Sequence, residues 1–151
     1  MELHIKKFDE LTVHELYDIL EVRNSVFVVE QNCPFHEVDG CDKEAYHVFL
    51  TDKDGIQAYL RVMDRGVSLK EVAIGRVLAV KRRCGLATKV LEAGIRVAKE
   101  KFHADKIALH AEAYARSLYE KIGFYQTGEE FLEDNIPFIP MQLDLALEIA
   151  C

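Results

Sequence analysis

Between Val80 and Gly94 the chain reads VKRRCGLATKVLEAG. An apolar, β-branched run leads into this stretch and a helix-like spacing follows it. A short basic loop with one glycine therefore joins a strand to a helix. Such a junction builds an anion site. The first amides of a helix have no acceptor within the helix and point out of its N-terminus. The helix dipole adds about half a positive charge there, and a diphosphate binds well on those amides. Gly85 lets the backbone approach a phosphate closely, while Lys81, Arg82, Arg83 and Lys89 add charge. The loop is neither the nucleotide-binding G-x-x-x-x-G-K-[ST] nor the dinucleotide-binding G-x-G-x-x-G. The plainer reading of the same cations is a solvated helix face.

The charge balance sharpens this. The chain of 151 residues has a net charge of −7, yet residues 76–101 hold 8 basic and 2 acidic side chains. An acidic protein with one cationic segment suits a compact anion, such as a phosphorylated cofactor, better than a nucleic acid. No apolar run approaches the roughly 20 residues of a membrane span. The opening MELHIKKFDE has no signal-peptide core, so a cytoplasmic setting without a membrane or nucleic-acid partner is expected. The cysteines Cys33, Cys41, Cys84 and Cys151 are then expected as thiols. The segment CPFHEVDGC has C-x2-H-x4-C spacing, which matches no common structural zinc pattern. No metal is expected.

The elements that would position the loop follow from periodicity. ELHIKKF reads as a short strand, and Thr12 with Glu15 forms a capping box before a helix. That helix places Leu16, Ile19, Leu20 and Phe27 on one stripe, with Arg23 set oddly among them. Residues 28–43 read as irregular and acidic. AYHVFLTDKDGIQAYLRVM reads as a hairpin turning at Asp54-Gly55. SLKEVAIGRVLAV is apolar enough for a central strand covered on both faces. A helix over Leu86–Phe102 follows, with Gly94 on its packed face. Then come a strand DKIALHAE, a short helix Ala115–Ile122 closed by Gly123, and two strands around a polar turn. The order β-α-β-β-β-α-β-α-β-β implies a mixed α/β sheet in one domain.

RRCGLA, with Arg82, Gly85 and Ala87, resembles [QR]-x-x-G-x-[GA], the acetyl-CoA loop of the GNAT superfamily of N-acetyltransferases. LYEKIGF, Leu118 to Phe124, is similar to that superfamily's second signature. VRNSVFVVEQNCPFHEVDG and DNIPFIPM are similar to its ElaA-like subgroup, so the resemblance covers nearly the whole chain. It implies a single GNAT domain over residues 1–151, with a mixed central sheet splayed at the acetyl-CoA strand and flanked by helices. It implies an acetyl-CoA-dependent N-acetyltransferase that acts by direct attack in a ternary complex, with acetyl-CoA as cosubstrate. The acceptor would be a primary amine of a small molecule or peptide. Dimers are common in the superfamily, which carries a homodimer forward as an expectation. Amides of Arg82, Arg83, Cys84, Gly85, Leu86, Ala87 and Thr88 would hold the pyrophosphate, and backbone groups of Leu78 and Val80 would meet the pantetheine arm. Tyr119 matches the tyrosine that protonates the departing thiolate; a thiol of pKa about 8.5 leaves better with a donor beside it. Many relatives carry Asn where Glu112 stands, and ElaA-like chains usually read Ile-Pro-His in place of Ile136-Pro137-Phe138.

The amine must also lose a proton, and Glu30, His47, His110 and Glu112 are the candidates to receive it. Arg23 and Arg76 each interrupt an apolar pattern. Either they form a buried ion pair, with Glu30 as one partner, or they grip a substrate carboxylate. Glu30, His47, Arg23 and Arg76 together make up the expected acceptor pocket. Glu37, Asp39, Asp42 and Glu44 would attract a cationic substrate or solvate a loop. Two other functions are open: a catalytically silent acyl-CoA-binding sensor or partner domain of the same fold, and a covalent enzyme using Cys84 or Cys33.

Overall fold

The computed structural model describes residues 1–33, 36–81 and 85–145. Arg82, Arg83 and Cys84 of the basic loop lie outside the described residues. Eight strands form one sheet in the order β1-β2-β3-β4-β5-β8-β6, with β7 beside β8. They are β1 (Glu2–Lys7), β2 (Ala45–Asp52), β3 (Gly55–Met63), β4 (Ala73–Ala79), β5 (Lys106–Glu112), β6 (Tyr125–Gln126), β7 (Phe131–Glu133) and β8 (Ile136–Asp144). The helices are α1 (Val13–Arg23), α2 (Leu86–Phe102) and α3 (Arg116–Ile122).

The capping box at the start of α1 forms as expected. Glu15 N–H donates to Thr12 Oγ1 at 3.0 Å and Thr12 N–H donates to Glu15 Oε1 at 2.9 Å. Ile19, Arg23 and Phe27 continue one buried stripe. The chain does not turn irregular at residue 28; it widens into a π-type turn over Asn24–Glu30, which keeps Phe27 on the covered face. The first hairpin turns through Lys53-Asp54, one residue earlier than expected, because Asp52 pairs with Gly55. The segment before β4 is loop as far as Val72, so the apolar run yields a strand of 7 residues rather than 13. Near the C-terminus the first expected strand splits into β6 and β7, and β7 and β8 turn at Asp134 and Asn135, both at positive φ.

Two apolar layers cover the sheet. On one face α2 buries Leu86, Val90, Leu91, Gly94, Val97 and Ala98 against β2, β3 and β4. Gly94 is required for this approach: a Cβ there would stand 2.9 Å from Leu60 Cδ1. On the other face α1 and its π-type turn pack Ile19 and Phe27 on Phe49, Tyr59 and Leu78.

Every strand pair is antiparallel except β4 with β5. That parallel pair holds at a single register point, Ala73 beside Ala108, where Ala108 N–H donates to Val72 O at 2.9 Å. Beyond it the strands part. β4 stays paired with β3 as far as Ala79, and β5 stays paired with β8 as far as Glu112. The sheet is thus open along one seam, as expected from the resemblance.

Candidate active site

The open seam is a cavity of about 580 Å³. Gly75, Arg76 and Val77 of β4 form one wall and His110 and Glu112 of β5 the other, with Tyr119 of α3 between them. His110 and Glu112 project to the face opposite Leu109 and Ala111, which belong to the core beneath α2.

β4 carries a bulge at the cavity. Arg61 pairs with Gly75 and Tyr59 with Leu78, so both Arg76 and Val77 oppose Leu60. The extra residue sits at Arg76, whose φ is +54°, a left-handed conformation that non-glycine residues seldom adopt. Val80 N–H donates to Gln57 O at 2.8 Å. By strand alternation Leu78 and Val80 turn their peptide groups toward β3, and Val77 and Ala79 turn theirs into the seam. The backbone groups open to the seam are thus those of Val77 and Ala79 rather than of the expected Leu78 and Val80.

Tyr119 is 6% exposed and its ring meets Phe124 edge-on at 5.8 Å. Among the described residues its hydroxyl has no hydrogen-bond partner, although the ring lies in the cavity wall. Burial, and then the charge of nearby Glu112 and the Tyr114 phenol, push its pKa well above the usual tyrosine value. Glu112 ends β5 with both carboxylate oxygens accepting from Gln31 Nε2, at 3.0 and 2.9 Å. Beyond β4, α2 begins with Gly85 at φ +73°, with no side-chain cap. The space a Cβ would fill there is empty. Its first amides therefore face outward, beside Lys81 and Lys89.

Residues 17–145 match the acetyltransferase (GNAT) domain profile. The chain belongs to the GNAT acetyltransferase family. It is 36% identical to a UPF0039 protein of Schizosaccharomyces pombe over 149 residues, 96% of this chain and 98% of that protein. Two crystal structures share the fold, each with a TM-score of 0.87 and each spanning 95% of this chain and 99% of the other. One is an acyl-CoA N-acyltransferase from Pseudomonas aeruginosa, 34% identical, and the other is ElaA from Escherichia coli, 30% identical.

Beside the cavity this GNAT chain holds a lattice of three arginines and three carboxylates, in which Asp39, Arg61 and Arg76 line the cavity and Arg23, Glu37 and Asp42 are buried. Arg23 Nε donates to Glu37 Oε1 and Arg23 Nη1 to Asp42 Oδ1, both at 2.7 Å. Arg61 donates to Asp42 Oδ1 at 3.0 Å and to Asp39 through both terminal nitrogens, at 2.9 and 2.6 Å. Arg76 Nη2 donates to Glu37 O at 2.9 Å, with Nε 2.8 Å from Glu37 Oε1. Burial pushes the Asp39 and Asp42 carboxyls up, but the bonds and charges of Arg61 and Arg23 outweigh it and hold both below the usual range. Glu37 and Asp42, expected to draw a cationic substrate or to solvate a loop, are buried partners of arginine instead.

His47 belongs to this lattice. Its Nε2 lies 2.9 Å from Asp42 O, which can only accept, so Nε2 carries the proton. Nδ1 then accepts from the Tyr59 hydroxyl at 2.7 Å, and Tyr59 in turn accepts from Arg23 at 3.4 Å. Burial keeps the His47 pKa below its usual value and the ring neutral. Among the expected pocket residues, then, Arg76 lines the cavity, while Arg23 and His47 are fully buried behind it and Glu30 is exposed. The partners of Arg23 are Glu37 and Asp42 rather than Glu30. Arg61 and Tyr59 escaped the sequence reading. The signal was present in β3, where Tyr59 and Arg61 interrupt the face that Met63 shares.

Of the thiols, Cys33 is buried and donates to Asp134 O at 3.1 Å. Among the described residues no three histidine, cysteine or acidic side chains gather as a metal site. No helix there is long and apolar enough to cross a membrane.

Proposed function

We propose that this GNAT protein moves an acetyl group from acetyl-CoA to a primary amine by direct attack within a ternary complex. The observation that carries the reading is the Tyr119 hydroxyl, unpartnered among the described residues, in the wall of an open strand seam; the chain leaving β4 of that seam leads to a helix whose N-terminus has no side-chain cap. Support also comes from a relative named as an acyl-CoA N-acyltransferase, at 34% identity over 95% of this chain.

The uncapped amides of Gly85, Leu86, Ala87 and Thr88, with Lys81 and Lys89 close by, fit a diphosphate. Val77 and Ala79 would bond the pantetheine amides as a missing strand would, since their peptide groups face the seam. The bulge at Arg76 turns the Val77 peptide group out of the β3–β4 ladder, where its N–H would meet charge developing on the thioester oxygen. Glu112 would take the proton from the attacking nitrogen, directly or through water, and Gln31 holds it in place. As the new C–N bond forms and the C–S bond breaks, Tyr119 would donate its proton to the departing sulfur. Its raised pKa keeps that proton on the oxygen at neutral pH.

The test is Tyr119→Phe with acetyl-CoA and an amine panel, following release of free thiol. The expected result is a fall in kcat of about 100-fold, a common size for a lost general acid, with the KM for acetyl-CoA nearly unchanged. Full turnover in the variant would remove Tyr119 from the chemistry. A parent protein silent toward every amine, yet stabilised thermally by CoA, would favour a non-catalytic sensor.

A further inference from the structure

The cavity's acceptor side has a chemical character of its own. Glu112, Glu133 and Asp134 line it, and none has a cationic partner among the described residues. The two guanidiniums that reach the same cavity, Arg61 and Arg76, are engaged by Asp39 and Glu37. The remaining field favours a cation, which is what an amine with a pKa near that of lysine, about 10.4, is before it reacts.

The body that carries the amine meets a different surface. Phe138 of β8 is the direct cross-strand partner of Glu112. Partners across an antiparallel pair project to the same face, with Cβ atoms about 5 Å apart. An ammonium drawn to Glu112 therefore has its substituent beside the Phe138 ring. That ring is backed: it stacks on Phe131 at 6.0 Å and 22°, and Phe131 meets His110 edge-on at 5.0 Å. Tyr114 of the wall is 70% exposed and adds aromatic surface at the cavity. A cavity of about 580 Å³ has room for the thioester end of the cofactor together with a small aromatic body.

We infer that the acceptor carries its primary amine on an aromatic or similarly flat apolar body, seated on Phe138 with the nitrogen at Glu112. The assignment rests on the acyl-transfer reading for its chemistry, but its binding geometry stands separately. A free arylalkylamine and the N-terminus of a peptide that begins with an aromatic residue share this chemistry. Phe138 sets the preference for the body and takes no part in bond making.

Thiol release is measured with phenethylamine, the tripeptide Phe-Ala-Ala and ethanolamine, for the parent protein, Phe138→Ala and the volume-keeping Phe138→Leu. Binding of phenethylamine to the CoA-loaded protein is followed in parallel by saturation-transfer NMR. The expected kcat/KM for an aromatic acceptor exceeds that for ethanolamine by at least about tenfold, the discrimination an apolar contact of this size supplies. Phe138→Ala erases most of that ratio through KM, with kcat little changed, and Phe138→Leu keeps the fold and an intermediate ratio. If the tripeptide exceeds phenethylamine, the acceptor is a peptide terminus; the reverse order makes it a free amine. Ethanolamine turned over as well as the aromatic amines would overturn the assignment while acyl transfer stood. Phenethylamine bound in a Phe138-dependent way but never acetylated would uphold the pocket and bring down the acyl-transfer reading. Absence of both turnover and binding for every aromatic amine would overturn the assignment.

Discussion

The two polar regions at the cavity treat their charges in opposite ways. In the lattice behind β4, Arg23, Arg61 and Arg76 meet Glu37, Asp39 and Asp42 in direct ion pairs, and His47 and Tyr59 join a directed chain of hydrogen bonds. A few ångströms of sheet away, Glu112, Glu133 and Asp134 have no cation among the described residues, and the Tyr119 hydroxyl has no partner there. Polar groups out of water are normally satisfied within the protein. Where they are, the arrangement fixes a loop to a strand. Where they are not, it faces a cavity and waits for something else to bond. The ion-paired lattice is the scaffold of the site, even though Asp42 Oδ2 and Arg61 Nε bond nothing within it, and the unpaired carboxylates and hydroxyl at the cavity are its working surface.

That contrast can be broken, most forcefully at the lattice. Asp42→Ala leaves Arg23 and Arg61 facing each other with too little negative charge. Losing one partner of a buried pair costs about 3–5 kcal/mol, which lowers the melting temperature by about 10 °C in a chain of this size. A shift within error would show that water satisfies the two arginines and that the lattice is not structural. Tyr119→Phe should behave in the reverse manner. Its melting temperature stays at or above that of the parent because the lost hydroxyl bonds nothing described, while turnover falls. A large loss of stability would mean that the hydroxyl is structural.

Acid separates the regions more gently. His47 is held below its unfolded value of 6.5, so its contribution is fully present above that pH and is lost as the pH falls through its folded value. Asp39 and Asp42 are held below 3.8, and their contribution persists until the pH falls beneath that value. The melting temperature should hold between pH 7 and 8, sag below 6.5 and drop steeply below 3.8. His47→Gln should remove the first stage only, since an amide can still donate to Asp42 O and accept from Tyr59. Gln31→Ala gives the smallest effect on folding, within about 0.5 kcal/mol for a site outside the core. It releases Glu112, so kcat should fall several-fold; unchanged kinetics would place the proton acceptor elsewhere.

Much of this was legible in the sequence where the signal is local. Thr12 and Glu15 are three residues apart, and the capping box is complete within them. The strand, basic loop and helix around Gly85 read directly from composition and spacing. Arg23 stood out because it breaks a helical stripe, but its partners lie 14 and 19 residues away in an irregular acidic loop, so Glu30, nearer in sequence, looked equally good. The bulge at Arg76 was hidden because a continuous apolar run carries no alternation to mark its register. Without that register, Leu78 and Val80 could not be told from Val77 and Ala79 as the residues facing the seam. The pairing of Glu112 with Phe138 was out of reach for a similar reason, because strands 26 residues apart acquire a register only once the turns between them are set.

The seam has one more consequence, which is mechanical. Between β4 and β5 the two halves of the sheet share one register point, with Ala108 bonded to Val72. The helix α2 rides on β2, β3 and β4, and α3 rides on β5. The chain therefore divides into two leaves that are also successive in sequence, bound at the spine by packing rather than by a ladder. A change in their angle alters the width of the gap without unzipping any other strand pair. What joins the leaves across the seam is therefore side-chain packing beneath α2, together with the bonds from Gln31 to Glu112 and from Cys33 to Asp134.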